Sequence, residues 1–214
     1  MYDKKIDWRE LPYPKRKKKV QPIYSEDNIL KVLHSITNKK QNAILALMID
    51  QGLRVSEPCT ILIVDCNSKE RKIVLRSAKG DHDRIIYPSQ QVWNLIADYW
   101  KECKKSHTDK YLFDGDQIGK PYTVSSIRKF LISHCKKTGV EFLGTHAIRR
   151  FNGTWSLENN VPLNVLADKF GHASSRTVES YYAIHSPTYL KAVPSPISNI
   201  VKQPIHAIIP NFAH

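Results

Sequence analysis

The chain has 214 residues, 41% of them hydrophobic, which suits one well-packed domain with tails and excludes a disordered chain. Lys and Arg outnumber Asp and Glu by 33 to 20, giving a formal charge of +13 and a pI near 9.6. An excess of that size points to a polyanionic partner, of which nucleic acid is the usual one. Cys59, Cys66, Cys103 and Cys135 show no C-x-x-C spacing, which argues against a zinc site. The longest apolar run, Ala43 to Ile49, is too short to cross a bilayer, and no apolar stretch follows Met1. The expected setting is therefore the cytoplasm, with free thiols.

Residues 1–24 carry eight basic side chains against three acids, and Pro12, Pro14 and Pro22 break any helix there. The stretch reads as an arm or linker. Its run Lys15, Arg16, Lys17, Lys18, Lys19 is a solvated tail if taken alone. Beside a phosphate-handling domain it reads as an arm that tracks the DNA backbone. Ser25 followed by Glu26 and Asp27 starts a first helix, with Ile29, Leu33 and Ile36 at helical spacing. A second helix spans about Gln41 to Gln51 and stops at Gly52, and a short element follows Ser56 with Pro58 in its first turn.

Between Ile61 and Pro88 the pattern changes to short β-branched runs: Ile61–Val64, Lys72–Arg76 and Arg84–Tyr87. Ala78–His82 joins the last two as a hairpin loop, with Gly80 free to take positive φ. Helical pattern resumes over 90–105, burying Val92, Leu95, Ile96 and Tyr99, and again over 124–138 up to Gly139. Thr145 is placed to cap a helix carrying His146 and Arg149. Pro162 sits in the first turn of the next helix, which ends near Gly171, and Ser174 or Ser175 starts the helix bearing Tyr181. The tail from Val193 contains Pro194, Pro196, Pro204 and Pro210 and reads as extended. The fold class is mainly α with a small antiparallel β-sheet. The expected organisation is an arm over 1–24, a domain over 25–192 and a tail over 193–214.

Residues 144–189 concentrate groups that act on phosphate. His146 and Arg149, three apart, share one helix face. His172 follows Gly171, and Tyr181 lies nine residues beyond it. Upstream, Arg54 follows a helix stop, and its planar fork suits bidentate phosphate contact. Lys79 sits at the hairpin tip, where an ammonium can reach a reacting oxygen. Singly, each has a bland reading as a surface charge or a capping histidine.

Together they change the reading. The segments Gly52-Leu-Arg-Val-Ser-Glu57, Ala78-Lys79-Gly80, Thr145-His-Ala-Ile-Arg149, Leu166-Ala-Asp-Lys-Phe-Gly-His172 and Thr177-Val-Glu-Ser-Tyr181 resemble, in order and spacing, the catalytic domain of the tyrosine recombinases, the phage-integrase family. The resemblance covers roughly residues 25 to 190. It implies that Arg54 and Arg149 clamp the scissile phosphate and that His146 and His172 hydrogen-bond it and assist proton transfer. It also implies that Lys79 protonates the leaving 5′-oxygen, that Tyr181 attacks phosphorus, and that Glu57 supports the site. Tyrosine is a poor nucleophile at its ordinary pKa of about 10 unless cations stabilise the phenolate. Two preorganised arginines supply that electrostatic help, so neither metal nor cofactor is expected. Tyr182 is the rival nucleophile, but adjacent helical residues point about 100° apart, and the step from His172 selects Tyr181.

The implied partner is double-stranded DNA, with four copies of the chain acting on paired sites in the nucleoid. Two departures stand out: Arg150 where the family often has histidine, and Ala183 where it often has another. The stretch before Ser25 is too short for the family's N-terminal DNA-clamping domain, which leaves two expectations, a fragment of a longer enzyme, favoured, or a naturally reduced protein. Two other readings share the same residues: a type IB topoisomerase-like enzyme, and a regulator that keeps the fold without catalysis.

Overall fold

The computed structural model describes residues 22–76, 83–103, 110–115, 117, 119–171 and 195–197. Seven helices and a three-stranded sheet lie within them. The first helix, α1, is Glu26–Ser35, and the Ser25 hydroxyl accepts from the Asn28 N–H at 3.3 Å as a cap. The second, α2, is Lys39–Gln51; it starts two residues before the expected point because Asn38 caps it, accepting from the Gln41 N–H at 3.0 Å. Every side chain from Ala43 to Gln51 is buried, so α2 is the central helix rather than a surface one. It packs on α4 (Gln90–Glu102) and α6 (Thr145–Glu158), while α1 packs on α5 (Val124–Thr138).

The sheet differs from the expectation in one strand. Ile61–Val64 is not part of it: Ile63–Asp65 forms a 3-10 turn, and Leu62 bridges to Tyr111. The main chain of Ile61 and Ile63 is satisfied there, by the Leu112 N–H at 2.9 Å and the Lys110 carbonyl at 3.2 Å. The first strand is instead β1, Cys66–Asn67, antiparallel to β2, Lys72–Leu75, which pairs with β3, Arg84–Ile86. The register sets Ile73 opposite Ile86 and Leu75 opposite Arg84. The loop carrying Lys79 joins these two paired strands, and its residues lie outside those described.

Three further boundaries moved. The helix expected to reach Lys105 ends at Glu102, where Cys103 leaves helical geometry and its N–H turns back to the Tyr99 carbonyl. Helix α6 begins at Thr145, so that residue opens the first turn rather than preceding it. Pro162 precedes α7, Leu163–Phe170, instead of lying inside its first turn. The expected α5 is found between Thr123 and Gly139 as read. A single main core gathers α1, α2, α4, α5, α6 and the sheet around Ile44, Leu47, Trp93, Tyr99 and Phe113. A smaller cluster of Val161, Val165, Leu166 and Phe170 lies under α7. Ile197, within the stretch read as a tail, is buried in the main core. The helix starting near Ser174 and the apolar end of the chain lie outside the described residues.

Candidate active site

The site is built on the carboxyl end of α2, whose last carbonyls have no partner within the helix. Side chains from α6 and α7 supply the donors. Asn152 Nδ2 donates to the carbonyls of Ile49 and Asp50 at 2.8 and 3.0 Å. Lys169 Nζ donates to the Asp50 carbonyl at 3.0 Å, and Arg149 Nη1 to that of Gly52 at 2.9 Å. Arg149 Nη2 reaches a second helix end, the Phe170 carbonyl of α7, at 2.6 Å. Its guanidinium also lies 4.2 Å over the Phe170 ring. Arg149 thus sits where the negative ends of two helix dipoles converge, which explains how a charge can be buried there. Burial, then repulsion from Arg54, push its pKa down to about 10, so it remains charged at neutral pH. Of its five N–H groups two are committed to carbonyls, which leaves donors for an incoming oxyanion.

Gly52 is what lets this corner close. It ends α2 with φ +63°, and a Cβ there would overlap the Phe170 ring and lie 3.0 Å from Asn152 Oδ1. Gly52→Ala therefore meets the left-handed backbone cost and an overpacked ring at once. We expect it to lower stability by about 2–4 kcal/mol, read by urea unfolding; a loss under about 0.5 kcal/mol would show that Phe170 can move aside freely.

Two residues past Gly52, Arg54 turns its guanidinium outward and is 37% exposed. A reciprocal turn fixes it. Glu57 Oε2 accepts from the Arg54 main-chain N–H at 2.6 Å, while the Glu57 N–H donates to the Arg54 carbonyl at 3.0 Å. Glu57 Oε1 accepts from Arg54 Nη1 at 3.2 Å and from Arg84 Nη1 at 2.6 Å. Glu57 thus bridges Arg54 and Arg84. Arg84 was read only as a strand residue. The signal that could have exposed it is period-two burial: Arg84 and Ile86 share the buried face of β3 while Ile85 is exposed, so an arginine occupies a core position.

His146 lies on α6 three residues before Arg149 and is exposed. One turn further on, Arg150 closes a fork on the Pro22 carbonyl, with Nε at 3.2 Å and Nη2 at 2.8 Å. That contact fixes where the basic arm joins the domain. Of the six residues expected to carry the chemistry, Arg54, His146 and Arg149 are described, and Arg54 and Arg149 are brought together at the end of α2. Lys79, His172 and Tyr181 lie outside the described residues, as do Tyr182 and the run Lys15, Arg16, Lys17, Lys18, Lys19. The described stretch 119–171 ends at Gly171, with φ +61°, where Arg84 Cδ and Nη1 lie only 3.0 Å from the place of a Cβ. No cluster of three or more metal-ligating side chains occurs among the described residues, and none of their helices is long and apolar enough to cross a membrane.

Beneath the corner, Asp50 and Lys169 form a buried couple. Asp50 Oδ2 accepts from the Ser89 N–H and Gln51 Nε2, both at 2.8 Å. Burial raises the Asp50 carboxyl, whereas it lowers the Lys169 ammonium to about 8, against the partial support of Asp50's charge. Between pH 8 and its ordinary value of 10.5, Lys169 is less protonated in the folded than in the unfolded chain. Its contribution to stability therefore rises with pH across that window and is lost as pH falls through 8. Comparing native chain with Lys169→Met by urea unfolding from pH 7 to 10 should show this rise only in the native chain. Asp50→Asn alone should cost about 3 kcal/mol or more, and adding Lys169→Met should recover most of it; equal losses in the single and double variants would show that the two groups are uncoupled.

The arrangement can be set beside known proteins. The profile described as Phage integrase family matches residues 17–187, and the chain belongs to that family. It is 29% identical over 174 residues to the tyrosine recombinase XerA of Pyrococcus horikoshii, covering 80% of this chain and 60% of that protein. Among solved structures it is similar to a XerA recombinase, with a TM-score of 0.67 and 26% identity over 81% of this chain and 67% of that one. The XerH site-specific recombinase, solved bound to its difH substrate, gives a TM-score of 0.62 at 19% identity, over 82% of this chain and 55% of that one. The mainly helical domain with a small antiparallel sheet is thus the fold of the family's catalytic domains. The chain spans about 60% of the length of the XerA relative.

Proposed function

We propose that the chain is the strand-breaking and rejoining domain of a site-specific DNA recombinase. The observation that carries this is the convergence of Arg54 and Arg149 on the end of α2, held by fixed backbone and carboxylate partners, with Arg54 turned outward. Two preorganised guanidiniums with donors to spare are suited to the non-bridging oxygens of a phosphodiester. In this reading the Tyr181 oxygen attacks phosphorus and the bond to the 5′-oxygen breaks, leaving a 3′-phosphotyrosyl link. Lys79 gives the departing oxygen its proton, so a free 5′-hydroxyl results. His146 and His172 hydrogen-bond the phosphate and assist proton transfer. The covalent link conserves the phosphodiester energy, and the reverse attack by a 5′-hydroxyl rejoins the strand.

The basic arm and the surplus of positive charge support double-stranded DNA as the substrate. Membership of the family and the likeness to a recombinase solved on DNA support the same choice. Recombination joins two duplexes, so four copies acting on paired sites follow from the chemistry: two strands are exchanged from each duplex, one nucleophile per strand. The test is to incubate the chain with a nicked suicide duplex and map the modified residue by peptide mass. A nucleotide on Tyr181 supports the reading; bound DNA with no adduct, or an adduct on Tyr182, counts against it or its nucleophile.

A further inference from the structure

Arg84 opens β3 with its side chain 10% exposed, and among the described residues only its Nη1 has a partner, Glu57 Oε1 at 2.6 Å. Nε and Nη2 are buried with no acceptor among those residues. A buried and partly unpaired arginine costs stability, so packing alone does not account for it.

Glu57 is contested. Arg84 Nη1 stands 2.6 Å from Oε1 and Arg54 Nη1 stands 3.2 Å from the same oxygen. The second oxygen is occupied by the Arg54 main-chain N–H. The shorter and less exposed contact takes the larger share of the carboxylate's charge. Three guanidiniums, those of Arg54, Arg84 and Arg149, therefore surround one carboxylate and leave two positive charges in excess.

We propose that Arg84 is a positioning residue for strand cleavage. By drawing Glu57 toward itself, it keeps Arg54 from being neutralised by its own neighbour. Arg54 then meets the phosphodiester with its charge largely uncompensated, although Arg84 does not reach the phosphate. A phosphodiester carries one negative charge, and attack by a phenolate brings a second. A cluster with two charges in excess favours that pentacoordinate species over the bound substrate.

The proposal rests on the phosphoryl-transfer reading above. Its test is single-turnover adduct formation by the 214-residue chain on a nicked suicide duplex at saturating DNA, with the DNA dissociation constant measured in parallel by fluorescence anisotropy. Arg84→Gln should slow adduct formation about 10–100-fold while shifting DNA affinity by less than about twofold. Arg84→Lys keeps the charge and should stay within about fivefold of the native rate. The charge-balanced pair Arg84→Gln with Glu57→Gln should recover most of what the single variant loses. A purely structural brace behaves differently, since two substitutions would weaken it further.

An Arg84→Gln chain with the native rate, or a double variant no faster than the single, overturns the proposal. Should Arg84→Gln not fold, Arg84→Lys decides: near-native rate supports the proposal, and a folded variant slowed more than about tenfold overturns it. Absence of any adduct from the native chain removes the phosphoryl-transfer reading itself, before any variant is compared, and this proposal falls with it.

Discussion

Arg149→Ala is expected to slow covalent adduct formation by about 10²–10³-fold or more and, separately, to lower stability by about 2–4 kcal/mol. The two losses have different origins. In the proposed clamp, the rate falls because one of the two guanidiniums assigned to the developing charge is gone. Stability falls because the carbonyls of Gly52 and Phe170, at two helix ends, lose donors at 2.9 and 2.6 Å. The loss stays below the sum of two charge-assisted hydrogen bonds because removing the guanidinium also relieves its burial and its repulsion from Arg54. Arg149→Lys separates the effects further: it keeps a cation, but one ammonium cannot replace a fork that spans two carbonyls. Single-turnover cleavage and urea unfolding on the same preparations check both. Reduced stability at an unchanged rate would sink the clamp, and an unchanged stability would sink the helix-end role.

Tyr181→Phe is expected to bring adduct formation to background while DNA affinity stays within about twofold, because in the proposed reaction the phenolic oxygen is the atom that bonds phosphorus and the substitution removes no cation. Tyr182→Phe is expected to retain adduct formation. The sequence pattern leads one to expect both on one helix, where neighbours point about 100° apart, so Tyr182 is not expected to take over in-line attack. Gel separation of adducts on a nicked suicide duplex reads both variants at once. If Tyr181→Phe still forms an adduct and Tyr182→Phe does not, the assignment is reversed.

Much of the fold was legible because the chain carries local punctuation. Helix α5 begins after a threonine whose hydroxyl accepts from the Ser126 N–H and ends at a left-handed glycine, and both signals sit in the sequence as letters. Ile61–Val64 failed for the opposite reason. Its β-branched run favours extended backbone, but what it pairs with is decided by Tyr111 and Leu112, some fifty residues later. The same divide runs through the site. Arg54 and Arg149 stand in recognisable patterns. What holds Arg149 is a pair of main-chain carbonyls, which have no letter. Arg84 was visible in principle, as a charge on the buried face of a three-residue strand, yet so short a strand barely establishes its alternation. Asp50 and Lys169 lie in quite different parts of the chain, and only the closed corner reveals them as a couple.

Arg150's fork on Pro22 has a consequence for reach. It pins the start of the described chain to α6, four residues past His146. From that pin Lys19 is three residues away and Lys15 seven. At about 3.3–3.6 Å per residue, the first cannot stray beyond roughly 10 Å nor the second beyond roughly 25 Å. One turn of duplex is about 34 Å long. Whatever path the tether takes, its five cations stay within a single turn of any duplex seated against that end of α6. Their effective concentration at its phosphates is thus set by covalent length rather than by the protein concentration in solution.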